Sequence, residues 1–164
     1  MVSEEKFRHV MGHFATGVTI LASRDPSGEP VGLTVNAFTS VSLDPPLVLV
    51  CIHEKAEAHQ SILQAGHFGL SFLKEEQADL ALTFAMADPK ERFVGMEIKD
   101  GPAGSPLIPG AMAWVDCQVE EAYPGGDHSV ILGRVVGCEA EGGNPLLFFR
   151  GSLDPKVRTE GKGP

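Results

Sequence analysis

Apolar residues recur as Phe7, Val10, Met11 and Phe14, a spacing of i, i+3, i+4 and i+7 that predicts one apolar helical face. Ser3 can cap that helix, Glu4 and Glu5 suit its positive end, and Gly17 is the stop signal. The period then shortens. Residues 18–22 form a short β-branched run, Asp25-Pro26-Ser27-Gly28 is a turn, and a second strand begins near Val31, which predicts a hairpin. Residues 32–46, GLTVNAFTSVSLDPP, alternate apolar Leu33, Val35, Val41 and Leu43 with the polar Thr34, Asn36, Thr39, Ser40 and Ser42. Asp44-Pro45-Pro46 ends this arm, because consecutive prolines force an extended path and offer no N–H. The following run, LVLVCIH at 47–53, is continuously apolar and reads as a strand buried on both faces.

Helical pattern returns at 56–64 and closes at Gly66, a strand follows at 68–73, and a second helix is expected over 75–85. Asp88-Pro89 starts a short helical turn through Phe93. Residues 101–110 hold three prolines and three glycines and read as a surface loop. Two long strands, 111–123 and 128–140, flank a turn at Pro124-Gly125-Gly126-Asp127, and a last apolar strand occupies 145–149 after the Glu141–Asn144 turn. The chain shows no repeat, linker or composition shift, so a single domain over 1–164 is expected. Its fold class is mainly β: a barrel or strongly curved sheet with flanking helices.

Charge narrows the possible partners. With 13 basic and 22 acidic side chains, a formal charge of −9 repels phosphate polymers and anionic membrane surfaces, so neither nucleic acid nor membrane is an expected partner. The stretch MVSEEKFRHV has no apolar core of a secretory signal, and no apolar window approaches the length of a membrane span. Cys51, Cys117 and Cys138 are odd in number, far apart and set among apolar residues, which suits reduced thiols and a cytoplasmic protein.

Common chemical signatures are absent: no G-x-G-x-x-G, no P-loop, no G-x-S-x-G elbow and no C-x-x-C pair. His9 and His13 stand four apart on the first helix but lack an acidic companion, and no metal site is assigned. Cys51 and His53 can share a strand face, yet a bound cofactor is the better carrier of chemistry than a side-chain nucleophile. Arg92 beside Phe93 offers a cation for phosphate and a ring for a flat ligand; the alternative is an exposed arginine beside a core phenylalanine. His128, in a hairpin turn, is placed to hydrogen-bond or stack on an incoming ligand.

Several segments in fixed order carry a resemblance: HFATGVTIL (13–21), GLTVNAFTSVSLDPPLVLVCI (32–52), Arg92-Phe93, GDHSVILGRV (126–135) and PLLFFRG (145–151). Together they resemble the short-chain flavin reductases, the reductase components of two-component flavin-dependent aromatic monooxygenases, and the likeness covers about residues 5–153. The resemblance implies an FMN-binding split β-barrel and a homodimer. It implies hydride transfer from NADH, or NADPH in some members, to FMN, or FAD in some members, with reduced flavin passing to a partner oxygenase such as an aromatic hydroxylase.

By the same likeness Thr34, Val35, Asn36 and Ala37 line the isoalloxazine and ribityl chain, and Ser40, Cys51, Ile52 and His53 continue that wall. Ala56, His59 and Arg92 stand at the phosphate end with Phe93 nearby, and His128 matches the histidine associated with the nicotinamide dinucleotide. Two positions depart from the family pattern. Ala37 stands where many relatives carry serine, and KAEAH (55–59) lacks a serine often found there, which leaves more of the phosphate contact to backbone N–H groups. Other readings are an FMN enzyme like pyridoxamine-phosphate oxidase, which calls for a second basic cluster, and a non-catalytic flavin- or haem-binding protein.

Overall fold

A computed structural model describes residues 1–153 of the chain; residues 154–164 of the expected domain lie outside it. The first helix, α1 (Glu4–Met11), begins where Ser3 accepts a hydrogen bond from the Lys6 N–H at 3.3 Å, and it ends at Gly12, earlier than the Gly17 stop. Its apolar stripe faces outward: no residue of α1 is buried. Five strands follow, β1 (Thr16–Gly17), β2 (Thr19–Arg24), β3 (Pro30–Val35), β4 (Phe38–Leu43) and β5 (Pro46–His53). The β2–β3 hairpin turns where the Asp25 carboxylate accepts from the Ser27 and Glu29 N–H groups, at 2.8 and 3.0 Å.

Helix α2 (Glu57–Ala65) stops at Gly66, whose left-handed φ of 72° lets its N–H reach the Ile62 carbonyl. Strand β6 (His67–Phe72), a short 3₁₀ turn (Glu75–Gln77), α3 (Ala78–Met86) and a second 3₁₀ turn (Pro89–Glu91) lead to the 101–110 segment. That segment is not a plain surface loop. Its β8 (Pro106–Leu107) pairs back on β7 (Lys99–Asp100), just before it, and Ser105, Pro106, Leu107 and Ile108 are buried. The chain then makes β9 (Ala113–Gly125), β10 (His128–Ala140) and β11 (Leu147–Phe148).

One seven-stranded antiparallel sheet has the order β3-β2-β6-β9-β10-β5-β4, while β11 pairs with β1 apart from it. Its edge strands, β3 and β4, are consecutive in sequence but share no ladder, so the barrel is split where the chain passes from one to the other. One core cluster gathers Leu21, Val50, Ile52, Ile62, Phe68, Leu70 and Ile131 under α2. A second gathers Val18, Ile20, Leu73, Ala81, Phe84 and Leu146 under α3. Alternation along β2 sends Ile20 to one cluster and Leu21 to the other, so β2 is closed on both faces. Each such aliphatic or aromatic side chain contributes about 1.5–3 kcal/mol on burial. Gly133 is needed on β10 because an added Cβ would overlap the Phe68 ring.

The continuous apolar run of β5 is only half buried. Val48, Val50 and Ile52 point to the core, while Leu47, Leu49, Cys51 and His53 face outward and remain partly open. Being apolar throughout did not bury both faces, because the first core cluster covers only the inner one.

Candidate active site

The site begins at the split. Strand β3 ends at Val35, whose carbonyl accepts the buried Thr19 hydroxyl at 2.7 Å. The Phe38 N–H then donates to the Asn36 carbonyl at 3.0 Å, a γ-turn with Ala37 at its apex. The Ala37 carbonyl in turn accepts from the Cys51 N–H at 3.0 Å, which fixes the turn against β5. Asn36 is exposed, and its amide donates to the Thr16 hydroxyl at a long 3.3 Å. Around it open three cavities of about 620, 210 and 620 Å³, all lined in part by Asn36. The first lies against Ala81, Leu82 and Ala85 of α3, and the last against Met11 of α1 and Phe14 just after it. Phe148 and Gly151 line both of the larger ones.

From Cys51 the outward face of β5 leads to His53, which is paired in register with His128 of β10. Their ring centroids lie 5.0 Å apart. His128 Nδ1 is 2.7 Å from Asp127 Oδ1, and His53 Nε2 is 3.8 Å from Asp127 Oδ2. The His128 hydrogen bond, foremost among the causes, holds the Asp127 carboxyl below its ordinary value. The Lys55 N–H donates to His53 Nδ1 at 3.0 Å, and the Glu54 N–H donates to the Asp127 carbonyl at 3.1 Å, so strand end and turn are tied together.

The structure thus links Asn36, Ala37, Cys51, His53 and His128 in one path, from the turn between β3 and β4 along β5 and across to β10. Thr34 sits in the α3 cavity, but its hydroxyl donates to the Ala81 carbonyl at 2.6 Å, so it anchors α3 to β3. Ser40 is exposed on edge strand β4, opposite Val48. Ala56 is the N-cap of α2, with no side-chain hydrogen bond on the first turn, and its N–H donates to the His53 carbonyl at 2.9 Å.

Other expected residues are turned away. The side chains of Val35 and Ile52, 6% and 1% exposed, belong to the core, since strand alternation points them inward; only their backbone can face a ligand. His59 is 4% exposed, and its Nε2 is hydrogen-bonded to the Ser129 hydroxyl at 2.8 Å, so it joins α2 to β10. Arg92 gives Nε and Nη2 to the Ala87 carbonyl at 3.2 and 3.1 Å and Nη1 to the Gly32 carbonyl at 2.7 Å, which makes it a clamp between the end of α3 and β3. Phe93, partly buried, packs edge-on against Phe84 of the second core cluster at 4.8 Å, and Arg92 beside it is half-buried rather than exposed. His13, just past the end of α1, donates its Nδ1 to the His9 carbonyl of that helix at 2.8 Å.

The sequence reading missed the contributions of α1, α3 and the 148–151 turn to the cavities. The signal was present in the PLLFFRG segment, which served only as a family marker. No described helix is long and apolar enough to cross a membrane.

The family of flavin reductase like domains has a sequence pattern that matches residues 11–156 of this chain. The chain belongs to that family. A probable flavin reductase of Rhizobium meliloti (strain 1021) is 41% identical to this domain over 144 residues, covering 88% of the chain and 46% of the relative. The reductase subunit of a flavin-dependent monooxygenase of Rhodococcus jostii (strain RHA1) is 40% identical over 151 residues, covering 92% of the chain and 76% of the relative. Among solved structures, an NADH:FAD oxidoreductase of Streptomyces globisporus in complex with NAD and FAD fragments superposes with a TM-score of 0.84 at 36% identity. It covers 93% of each chain. This flavin reductase like domain spans about half the length of the first of these relatives. Its cavities fit a flavin: Phe148, Ala37 and the small residues of α3 offer flat apolar walls, and the Asn36 amide offers both a donor and an acceptor at the edge.

Proposed function

We propose that this protein is an NAD(P)H:flavin oxidoreductase that takes hydride from NADH to FMN or FAD and supplies reduced flavin to a partner oxygenase, such as an aromatic hydroxylase. The observation that carries this reading is the single path from the Asn36 cavities through Ala37 and Cys51 to His53 and His128. A flavin, when bound, accepts hydride and needs no side chain of unusual acidity. The chain's own residues bind, orient and exclude water. Asn36, the Ala37 backbone and Cys51 hold the ring edge. His128, half exposed and held by Asp127, meets the nicotinamide dinucleotide.

We also infer a homodimer. On the outward face of the sheet Leu49 lies opposite Leu132 and Cys51 opposite Val130, which in turn lies opposite Tyr123. Tyr123, Val41 and Leu43 remain exposed beside this stripe, an apolar surface of the kind that a second copy covers.

The test of the reductase reading is anaerobic mixing of purified protein with FMN and excess NADH while the oxidised-flavin absorbance is followed. Bleaching far faster than with free FMN is the expected result, and repeats with FAD and NADPH then rank the cofactors. Flavin binding without bleaching overturns the reductase reading in favour of a passive binder.

A further inference from the structure

We infer that Arg8, on α1, forms an anion subsite for a ligand phosphate at the mouth of the Asn36–Ala37 cavity. The inference rests on the proposed reductase function and adds a binding residue to it. Arg8 lines the cavity of about 620 Å³ that Asn36, Ala37 and Phe148 also line, and among the described residues it is the one charged side chain in that wall. An apolar cavity with a single cation at its rim suits a flat aromatic ring carrying an anionic tail.

The other described arginines are engaged elsewhere. Arg24 is ion-paired with Asp100 and Arg134 with Glu120. Arg92 donates to the Ala87 and Gly32 carbonyls. The Arg150 guanidinium stacks over the Phe149 ring, 5.0 Å from its centroid. Arg8 has no carboxylate or carbonyl partner for its side chain among the described residues.

Its placement is nevertheless fixed. The Arg8 carbonyl accepts from the Gly12 N–H at 2.9 Å, and the Gly12 carbonyl accepts from the Arg150 N–H at 2.8 Å. The end of α1 is therefore fastened to the turn that carries Gly151 into the same cavity. In a chain of charge −9, a phosphorylated ligand meets net repulsion, and a planar guanidinium held at the cavity rim offsets it locally with paired N–H donors.

Two sources supply such a phosphate: the flavin and the nicotinamide dinucleotide. The experiment compares wild type, Arg8→Ala and Arg8→Lys. Fluorescence titrations measure binding of FMN, of riboflavin (which lacks the phosphate) and of NADH, and steady-state assays give the KM of each. Because α1 contains no buried residue, these variants are expected to fold, which circular dichroism checks.

If Arg8 holds the flavin phosphate, Arg8→Ala weakens FMN by on the order of tenfold, leaves riboflavin and NADH unchanged, and erases the preference for FMN over riboflavin. If it holds the dinucleotide, NADH weakens by on the order of tenfold while both flavins keep their wild-type constants. In either case Arg8→Lys retains part of the effect. Unchanged constants for all three ligands overturn the inference, and so does an equal loss for FMN and riboflavin with NADH unaffected. A wild-type protein that oxidises no NADH with either flavin refutes the reductase reading instead, and the titrations still decide Arg8 without turnover.

Discussion

His53 and His128 face each other across the β5–β10 ladder and approach one carboxylate through different ring nitrogens. The Lys55 N–H occupies His53 Nδ1, so a neutral His53 carries its proton on Nε2, on the side of Asp127. His128 presents Nδ1 to Asp127, so a neutral His128 carries its proton there and leaves Nε2 as an open acceptor. The turn thus sets the orientation of a half-exposed imidazole before any ligand arrives.

His128→Ala is therefore expected to raise the KM for NADH by on the order of tenfold while the flavin titration stays nearly constant. Asp127→Asn keeps the shape but weakens the hold on the ring, and its increase in KM should be smaller. Unchanged NADH kinetics in His128→Ala would remove this residue from the site.

Asn36 should act on the other ligand. Its amide is exposed at the meeting point of the cavities and, among the described residues, is held only by the long bond to Thr16. Asn36→Ala is expected to weaken flavin binding by roughly tenfold, the loss of about one good hydrogen bond, with the KM for NADH little changed. A flavin titration identical to wild type excludes the assignment.

What was legible in the sequence followed from local rules. Ser3, Asp25 and Gly66 each place a cap or turn where it occurs, since the chemistry of those residues is local. The hairpin strands and the polar arm were equally visible, while the family resemblance, not local rules, assigned Asn36 and Cys51 to a flavin wall and His128 to the dinucleotide. The break of that arm at Asn36–Ala37 was not visible, because it depends on the Ala37 carbonyl meeting Cys51. The roles of His59 and Arg92 were hidden for the same reason: a histidine or arginine looks like a ligand-binding group until its partners, Ser129 and the carbonyls of Ala87 and Gly32, come into place.

Arg92 yields a prediction that separates a clamp from a phosphate ligand. Arg92→Ala deprives the Gly32 and Ala87 carbonyls of their donors and should lower unfolding stability by about 1–3 kcal/mol, measured by urea denaturation. Its preference for FMN over riboflavin should stay at the wild-type value. A collapsed preference with unchanged stability returns Arg92 to the phosphate end.

The cysteines differ sharply in environment. Burial foremost, with Asp116 and Cys138 adding charge repulsion, pushes the Cys117 thiol up to about 12, whereas Cys138 is exposed. A maleimide at pH 8 should modify Cys138 readily and Cys117 only after unfolding, read by peptide mass spectrometry. The folded state holds the Cys117 proton more tightly than the unfolded chain. Its contribution is thus complete below the ordinary value of 9.0 and is lost as pH rises toward about 12. The stability difference between wild type and Cys117→Ala should narrow across that window; a constant difference contradicts the shift.

The inferred dimer can be tested at Leu49. This side chain points away from the core, beside Leu132 on the stripe that continues through Cys51, Val130 and Tyr123. In a lone protomer an aspartate there reaches water and costs little. In a dimer that covers the stripe it becomes an unpaired buried carboxylate, a loss of several kcal/mol. Light scattering on wild type should give about twice the 17.4 kDa of one chain, and Leu49→Asp should give a single chain with unchanged circular dichroism. A wild-type mass of one chain rejects the dimer. A Leu49→Asp variant that stays dimeric places the interface on another face, and α1, whose Phe7, Val10 and Met11 are exposed, would then be the next surface to test.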